Sequence, residues 1–455
     1  HPEGGTSWAV RAGRLNPVKF LASQVAAAVD GELFGDDILL DGATQDSRSV
    51  TPGCLFVPLL AERDGHEFIG EALDAGATAF LTSNGSDVGR ATGVRVPDTA
   101  AALMVLGATA RRSMSMPVVG ITGSVGKTSA KDMTVAVLAR GGPVHSSPRS
   151  FNNEIGVPLT LVNAPDEPAA LVLELGARQE GDIALLCGMA RPDVGVITTV
   201  AAVHTGVMGS VDAVARTKGE LLDGLPSDGC AVLAADVPAV MAQAPRSRAR
   251  QLTFGAAGEV RASGISIDER LHASFRLESP WGRTEVHLWV PGVHMVDNAL
   301  AAAAVGLVLG VPLEEVAVGL GKARLSPGRM QITTATSGLL VVNDAYNANP
   351  TSVGAALRAV ASLPGGGRRL AVLGLMAELG GESSEAHLQV VALAHELGVE
   401  VLAVDTEFYG IEPLHGVDEA LDVITSLNLG EGDSVLVKGS LVAGLQELAE
   451  KLVAT

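Results

Sequence analysis

The densest chemistry in the sequence is the segment Gly120-Ile-Thr-Gly-Ser-Val-Gly-Lys-Thr128, which follows an apolar run and opens a helical pattern. Gly123 and Gly126 allow the backbone to fold around phosphate oxygens, and the helix start behind them offers unpaired N–H donors. Lys127 is placed to reach β- and γ-phosphates, and Thr128 to offer a hydroxyl to Mg²⁺. Counted from Gly123 the loop is shorter than the general GxxxxGK[ST] form, which makes it a TGxxGKT/S variant. A nucleoside triphosphate is the expected ligand. Kinase, GTPase, ATPase and ligase all stay open on this loop alone, although no Asn-Lys-x-Asp segment for reading guanine is present. Glu174 ends a later apolar run, where a carboxylate holds Mg²⁺ directly or through water. His204 lies just beyond the next such run, on the same carboxyl edge of the expected sheet. Lys218, in Val214-Ala-Arg-Thr-Lys-Gly-Glu-Leu221, reads on its own as a solvated helical lysine.

These residues need strands and helices to bring them together. Residues 117–122, 171–175, 194–199 and 230–234 are near-continuous apolar runs, as strands of a parallel sheet covered on both faces should be. Residues 258–290 instead alternate apolar and polar, which predicts an antiparallel insertion, and a helix is expected over 297–309. After a Pro/Gly break at 326–328, a second series at 339–344, 370–374, 399–405 and 434–438 has the spacing of a Rossmann-like sheet. Residues 19–115 read as a smaller α/β unit, with apolar runs at 54–60 and 77–82, a helical pattern at 100–112 and a hinge at Arg111–Arg112. The expected architecture is therefore α/β in three domains, 19–115, 116–325 and 326–455. The first eighteen residues, without an initiating Met or an apolar h-region, read as an extension outside the folded units.

With 455 residues, three domains are a natural division. Lys and Arg number 32 against 51 Asp and Glu, a net charge of −19, which excludes a bare phosphate-backbone binder or a polybasic membrane anchor. Aromatic residues make up only 3%, too few for platforms that stack single-stranded nucleic acid. No stretch approaches the ~18 uninterrupted apolar residues of a membrane span. Cys54, Cys187 and Cys230 are widely spaced and form no CxxC pair, so they read as small buried hydrophobes in a reducing, cytoplasmic setting. Nothing in the sequence points to an oligomer, and a monomer is expected.

Taken in order, TGSVGKTS at 122–129, FNNEIGVP at 151–158, ELGA at 174–177, VH at 203–204, ARTKGEL at 215–221, PGVHMVDNALAA at 291–302 and PGRM at 327–330 resemble the Mur ligases. These are ATP-dependent amide ligases of bacterial cell-wall synthesis, and the likeness runs across residues 19–455. Asn343-Asp-Ala-Tyr-Asn-Ala-Asn-Pro350, together with Leu373-Gly-Leu-Met-Ala-Glu-Leu-Gly380 and His387, resembles the branch that adds D-alanyl-D-alanine to UDP-N-acetylmuramoyl-tripeptide. Asp46-Ser-Arg48 and Glu62-Arg-Asp-Gly-His66 look like its UDP-sugar segment.

The resemblance implies a role for each matching residue. Gly123, Ser124, Gly126, Lys127, Thr128 and Ser129 would hold the ATP phosphates, with Thr128 and Glu174 on one Mg²⁺ and His204 near a second. Lys218 matches the family's carbamylated lysine, in which CO₂ converts a cation into an anionic oxygen ligand. Asn298 would lie on the adenine side, while Arg329 and Asp344 would link the third domain to the phosphates and ribose. Ser47 and Arg48 would contact the UDP-sugar. Asn152, Asn153, Tyr346, Asn347 and Asn349 would shape the substrate cleft; a second, lesser reading of Asn347 and Asn349 is as turn formers before Pro350. The implied reaction passes through an acyl phosphate on the tripeptide, with the third domain closing over ATP about 326–329. Leu375 and Leu441 stand where the family commonly has an acidic residue and an arginine; Ala345, Met295 and Ala234 are further departures. Two other readings are a related ligase for a different amino acid or peptide, and a non-catalytic ATP-binding subunit. The intact set Lys127, Glu174, His204 and Lys218 weighs against the second of these.

Overall fold

The computed structural model describes residues 19–454 apart from 86–88, 90, 202–207, 378 and 380–382. At its centre is a parallel six-stranded sheet. Its order across the sheet is Arg250–Phe254, Cys230–Ala234, Val194–Ile197, Val118–Thr122, Ala170–Glu174 and Val144–Ser146. The inner strands are buried at every position, which is why their sequences are apolar without alternation. From Val118–Thr122 the chain crosses to the edge strand Val144–Ser146 and returns through Ala170–Glu174. It then passes to the opposite side of Val118–Thr122 to form Val194–Ile197. The loop leaving Val118–Thr122 therefore sits at a topological switch point, where neighbouring connections diverge and a crevice opens. Register sets Glu174 beside Ile121 and Ile197 beside Thr122, so the carboxyl ends of three strands meet at that loop.

The alternating segment forms an antiparallel three-stranded sheet, Arg261–Ile267, His272–Ser279 and Gly282–Pro291. In its last strand Val286, Leu288 and Val290 are buried while Glu285, His287 and Trp289 face outward. The helix Met295–Val308 follows and runs through the core, with Ala299 to Val305 all buried.

A second α/β sheet is built from Gln331–Thr334, Leu340–Asn343, Ser434–Lys438, Arg369–Leu373 and Glu400–Ala403, all parallel except the first. Near the N-terminus five short strands between Glu32 and Arg95 make a smaller sheet, beside the antiparallel pair Lys19–Leu21 and Leu39–Asp41. Here the apolar run 54–60 forms only the two-residue strand Leu55–Phe56, because Pro58 lacks the N–H that would extend the ladder. The helix Thr99–Arg112, capped by Asp98 on the N–H groups of Ala100 and Ala101, connects this unit to the central one.

The hinge expected at Arg111–Arg112 is braced in the structure. Arg111 is largely buried, donates to the carbonyls of Ala190 (2.8 Å) and Arg191 (3.0 Å), and pairs with Asp193. Met114 and Met116 beyond it are buried too. Three edge strands, Val144–Ser146, Arg250–Phe254 and Gln331–Thr334, were absent from the expected set because their half-exposed positions carry no continuous apolar run. Cys54, Cys187 and Cys230 are buried free thiols. Among the described residues no helix is long and apolar enough to cross a membrane.

Candidate active site

The loop after Val118–Thr122 turns sharply into the helix Lys127–Leu138, with Gly126 as its left-handed N-cap at φ +84°. A Cβ on Gly126 would lie 2.4 Å from Asn298 Oδ1, and one on Gly123 (φ +147°) would lie 2.1 Å from Thr198 Oγ1. Both glycines are thus required by conformation and by close approach. The loop is clamped from the neighbouring strand. Ser124 N–H donates to the Thr199 carbonyl at 2.8 Å, and Thr198 Oγ1 donates to the Val125 carbonyl at 2.6 Å.

Lys127 Nζ donates to the Gly123 carbonyl at 2.7 Å, folded back across the loop mouth. Thr128 Oγ1 donates to Glu174 Oε2 at 2.8 Å, and the other carboxylate oxygen, Oε1, accepts from Asn152 Nδ2 at 2.8 Å. Glu174 N–H donates to Ser147 Oγ at 3.2 Å. Glu174 and Thr128 are both buried, so this carboxylate is fixed by protein donors rather than by solvent.

From the other side Arg329 Nη2 donates to Thr128 Oγ1 at 3.0 Å, and its guanidinium lies 4.5 Å over the Tyr346 ring. Arg329 Nε is buried and without a hydrogen-bond partner among the described residues. Asp344 ties the linker to the last sheet. Its Oδ1 accepts from Met330 N–H at 3.0 Å, and its Oδ2 from Lys438 Nζ at 2.5 Å. Lys438, fully buried, also donates to the Asn347 carbonyl at 2.8 Å. Burial pushes its ammonium pKa down, against the pull of Asp344. Asn298 donates weakly to Met295 Sδ at 3.6 Å.

One cavity of about 770 Å³ gathers most of the residues singled out by sequence. Ser124, Gly126, Lys127, Thr128, Ser129, Asn152, Asn153, Glu174 and Asn298 line it from the central unit, and Arg329, Asp344, Tyr346, Asn347 and Asn349 from the linker and last unit. Asn349 also caps the helix Pro350–Ala361 by accepting from Ser352 N–H at 2.9 Å. Its turn-forming role is thus present as well. Lys218 is not a lining residue; it is buried, and burial together with the charge of Lys127 pushes its pKa down to about 7. Ser47 and Arg48 lie apart on the N-terminal unit, where Arg48 is paired with Asp46 at 2.9 Å. His204 falls outside the described residues.

Lys438, Ser440, Lys131 and Ser147 were not anticipated. Lys438 carried the same signal as Glu174, a charged residue closing an apolar strand at the carboxyl edge. Ser440 Oγ accepts from Ala377 N–H at 2.9 Å, and Ser440 N–H donates to the Leu375 carbonyl at 2.9 Å. That second contact is main-chain only, so it does not depend on which side chain occupies position 375. Leu441, 53% exposed, lies on the cavity rim.

Thr128 and Glu174 present hard oxygen donors bonded to each other, so both face one point, and that suits Mg²⁺. Among the described residues no cluster of three or more His, Cys, Asp or Glu could hold a metal. Mg²⁺ needs none, being held by one or two carboxylates with water and substrate phosphates.

Residues 121–306 match the Mur ligase middle domain, and residues 328–441 match the Mur ligase glutamate ligase domain. The UDP-N-acetylmuramoyl-tripeptide–D-alanyl-D-alanine ligase of Escherichia coli strain K12 is 37% identical over 444 residues, covering 94% of this chain and 97% of that protein. A crystal structure of MurF from Acinetobacter baumannii superposes with a TM-score of 0.87 at 28% identity, covering 96% of this chain and all of that one. The MurF ligase of Thermotoga maritima, in complex with ADP, superposes with a TM-score of 0.77 at 27% identity, covering 90% and 98%.

Proposed function

Because the chain belongs to the Mur ligase family, among the UDP-N-acetylmuramoyl-tripeptide–D-alanyl-D-alanine ligases, we propose that it joins D-alanyl-D-alanine to UDP-N-acetylmuramoyl-tripeptide at the expense of ATP. The observation that carries this reading is the meeting of Lys127, Thr128 and Glu174 from one unit with Arg329 from the next in a single cavity.

The tripeptide carboxylate attacks the γ-phosphorus of ATP, ADP leaves, and an acyl phosphate forms. The neutral amine of the dipeptide then adds to the acyl carbonyl, and the tetrahedral adduct collapses to the amide, expelling phosphate and a proton. The protein contributes position and charge rather than a nucleophile. The loop N–H groups and Lys127 receive the phosphates, the lysine exchanging its carbonyl partner Gly123 for phosphoryl oxygen. Arg329, already at Thr128, adds a second cation where charge spreads. Thr128 and Glu174 would hold Mg²⁺, which when bound neutralises phosphate charge. Asn298 approaches Gly126 closely, and it would meet the adenine side of the nucleotide. The acyl phosphate must be kept from water, and the cavity wall formed by Tyr346, Asn347 and Asn349 belongs to the unit that would close over it.

We assign three jobs along the chain: UDP-sugar binding to 19–115 through Ser47 and Arg48, ATP binding to 116–325, and acceptor binding to 326–455. Lys218 we assign as a carbamate. A lysine pushed down to about 7 holds a large neutral fraction at neutral pH, and only the neutral amine adds CO₂. Incubation with ATP, Mg²⁺ and both substrates is expected to give a product whose mass equals the sum of the two substrates less one water. ATP consumption without that product would overturn the reading.

A further inference from the structure

The helix Lys127–Leu138 carries two charges that the reaction above leaves unused. Lys131 and Asp132 lie three and four positions beyond Thr128, on the same side of the helix. Lys131 is buried, and its ammonium donates to the Ser147 carbonyl at 2.9 Å and the Arg149 carbonyl at 3.3 Å, and stands 3.1 Å from Asp132 Oδ1. Two of its hydrogens are thus bonded to main-chain carbonyls, with the Asp132 carboxylate beside it as a counter-charge.

The segment that Lys131 grips is the one that frames Glu174. Ser147 Oγ accepts from Glu174 N–H, and Asn152 donates to Glu174 Oε1. Between them Arg149 is held at φ +49°, a left-handed conformation that a non-glycine residue keeps only where its surroundings enforce it. Lys131 bonds the carbonyl of that residue. In the other direction Asp132 Oδ2 accepts from Ser326 N–H at 2.7 Å, where the central unit passes into the linker.

We infer that Lys131 and Asp132 form a positioning pair: Lys131 sets the Glu174 carboxylate beside Thr128 through residues 147–152, and Asp132 anchors the start of the linker to the same helix. The inference rests on the reading of Thr128 and Glu174 as the Mg²⁺ ligands. Lys131 is not among the residues that line the cavity, so its loss is expected to act on metal-dependent nucleotide binding and to leave dipeptide recognition alone.

The test is Lys131→Met, which keeps the stem and removes the donors, followed by calorimetric titration with ADP with and without Mg²⁺ and by steady-state kinetics. ADP affinity in Mg²⁺ is expected to fall about 10–100-fold, as for other residues that orient metal ligands. The Mg²⁺ concentration for half-maximal rate should rise in step, while metal-free ADP binding and the dipeptide KM stay unchanged. A folded Lys131→Met protein with wild-type Mg²⁺ dependence overturns the inference. Should that variant not fold, Ser147→Ala removes only the hydroxyl that receives Glu174 N–H. It must raise the Mg²⁺ requirement in the same sense, and an unshifted requirement is equally fatal. If the wild-type protein itself binds ADP without any Mg²⁺ dependence, the assignment of Thr128 and Glu174 fails first, which separates the two.

Discussion

At the scale of single residues, the site is a set of short contacts around Thr128, whose hydroxyl is shared between Glu174 and Arg329. Lys218 is buried, and it could not be distinguished in the sequence from an ordinary helical lysine except by resemblance. What sets it apart is physical: the helix Val211–Asp223 turns it inward, where burial and Lys127 disfavour its charge. Lys218→Ala is expected to lower kcat on the order of 100-fold, the loss typical of a metal-site residue. Formate, a small carboxylate that fits the space vacated by the side chain, should restore part of the rate. Wild-type turnover in this variant would remove the carbamate from the mechanism.

At the scale of elements, the inner strands and the helix after the loop were legible because burial on both faces leaves one signature, an unbroken apolar run closed by a functional residue. Glu174 was found that way. Lys438 bears the same signature and was passed over, since a terminal lysine on a strand usually snorkels to solvent rather than pairing inside with Asp344. Lys131 and Ser147 were not legible at all. Apart from Asp132 beside it, Lys131 bonds main-chain carbonyls of a different element, and the Ser147 hydroxyl receives the main-chain N–H of Glu174; no spacing encodes that. The loop after Arg369–Leu373 is held by His387, fully buried against Tyr409. His387 Nδ1 lies 2.6 Å from the Ser383 carbonyl, which can only accept, so Nδ1 carries the hydrogen and Nε2 accepts from Met376 N–H at 3.0 Å. Burial pushes the pKa of this imidazole down from its ordinary 6.5. The unfolded chain therefore takes up a proton that the folded one refuses. Stability is fully present above pH 6.5 and declines below it, by at most about 1.4 kcal/mol per pH unit. Thermal melts from pH 7.5 to 5.5 should show the gap between wild type and His387→Gln shrinking as pH falls. A gap that stays constant contradicts this account.

At the scale of the whole molecule, a chain of net charge −19 is read as handling two strongly anionic substrates. Mapped locally, the charge is balanced and not negative: Lys127, Arg178, Arg329 and Lys438 line the cavity with Glu154, Glu174, Asp182 and Asp344, and bound Mg²⁺ would tip it towards cations. Residues on both sides of 326–330 wall the cavity, so in the proposed closure assembling the full site and excluding water would be one movement. Three of the five departures from the family pattern, Ala345, Leu375 and Leu441, fall in the unit proposed to bind the acceptor, with Leu441 on the cavity rim. The identity of the amine is thus the property to measure directly. Phosphate release with ATP, Mg²⁺ and UDP-N-acetylmuramoyl-tripeptide, measured across a panel of amino acids and dipeptides, supplies it. Release is expected to depend on D-alanyl-D-alanine, with single amino acids inactive; release driven by another amine and not by this dipeptide would overturn the assignment of the acceptor.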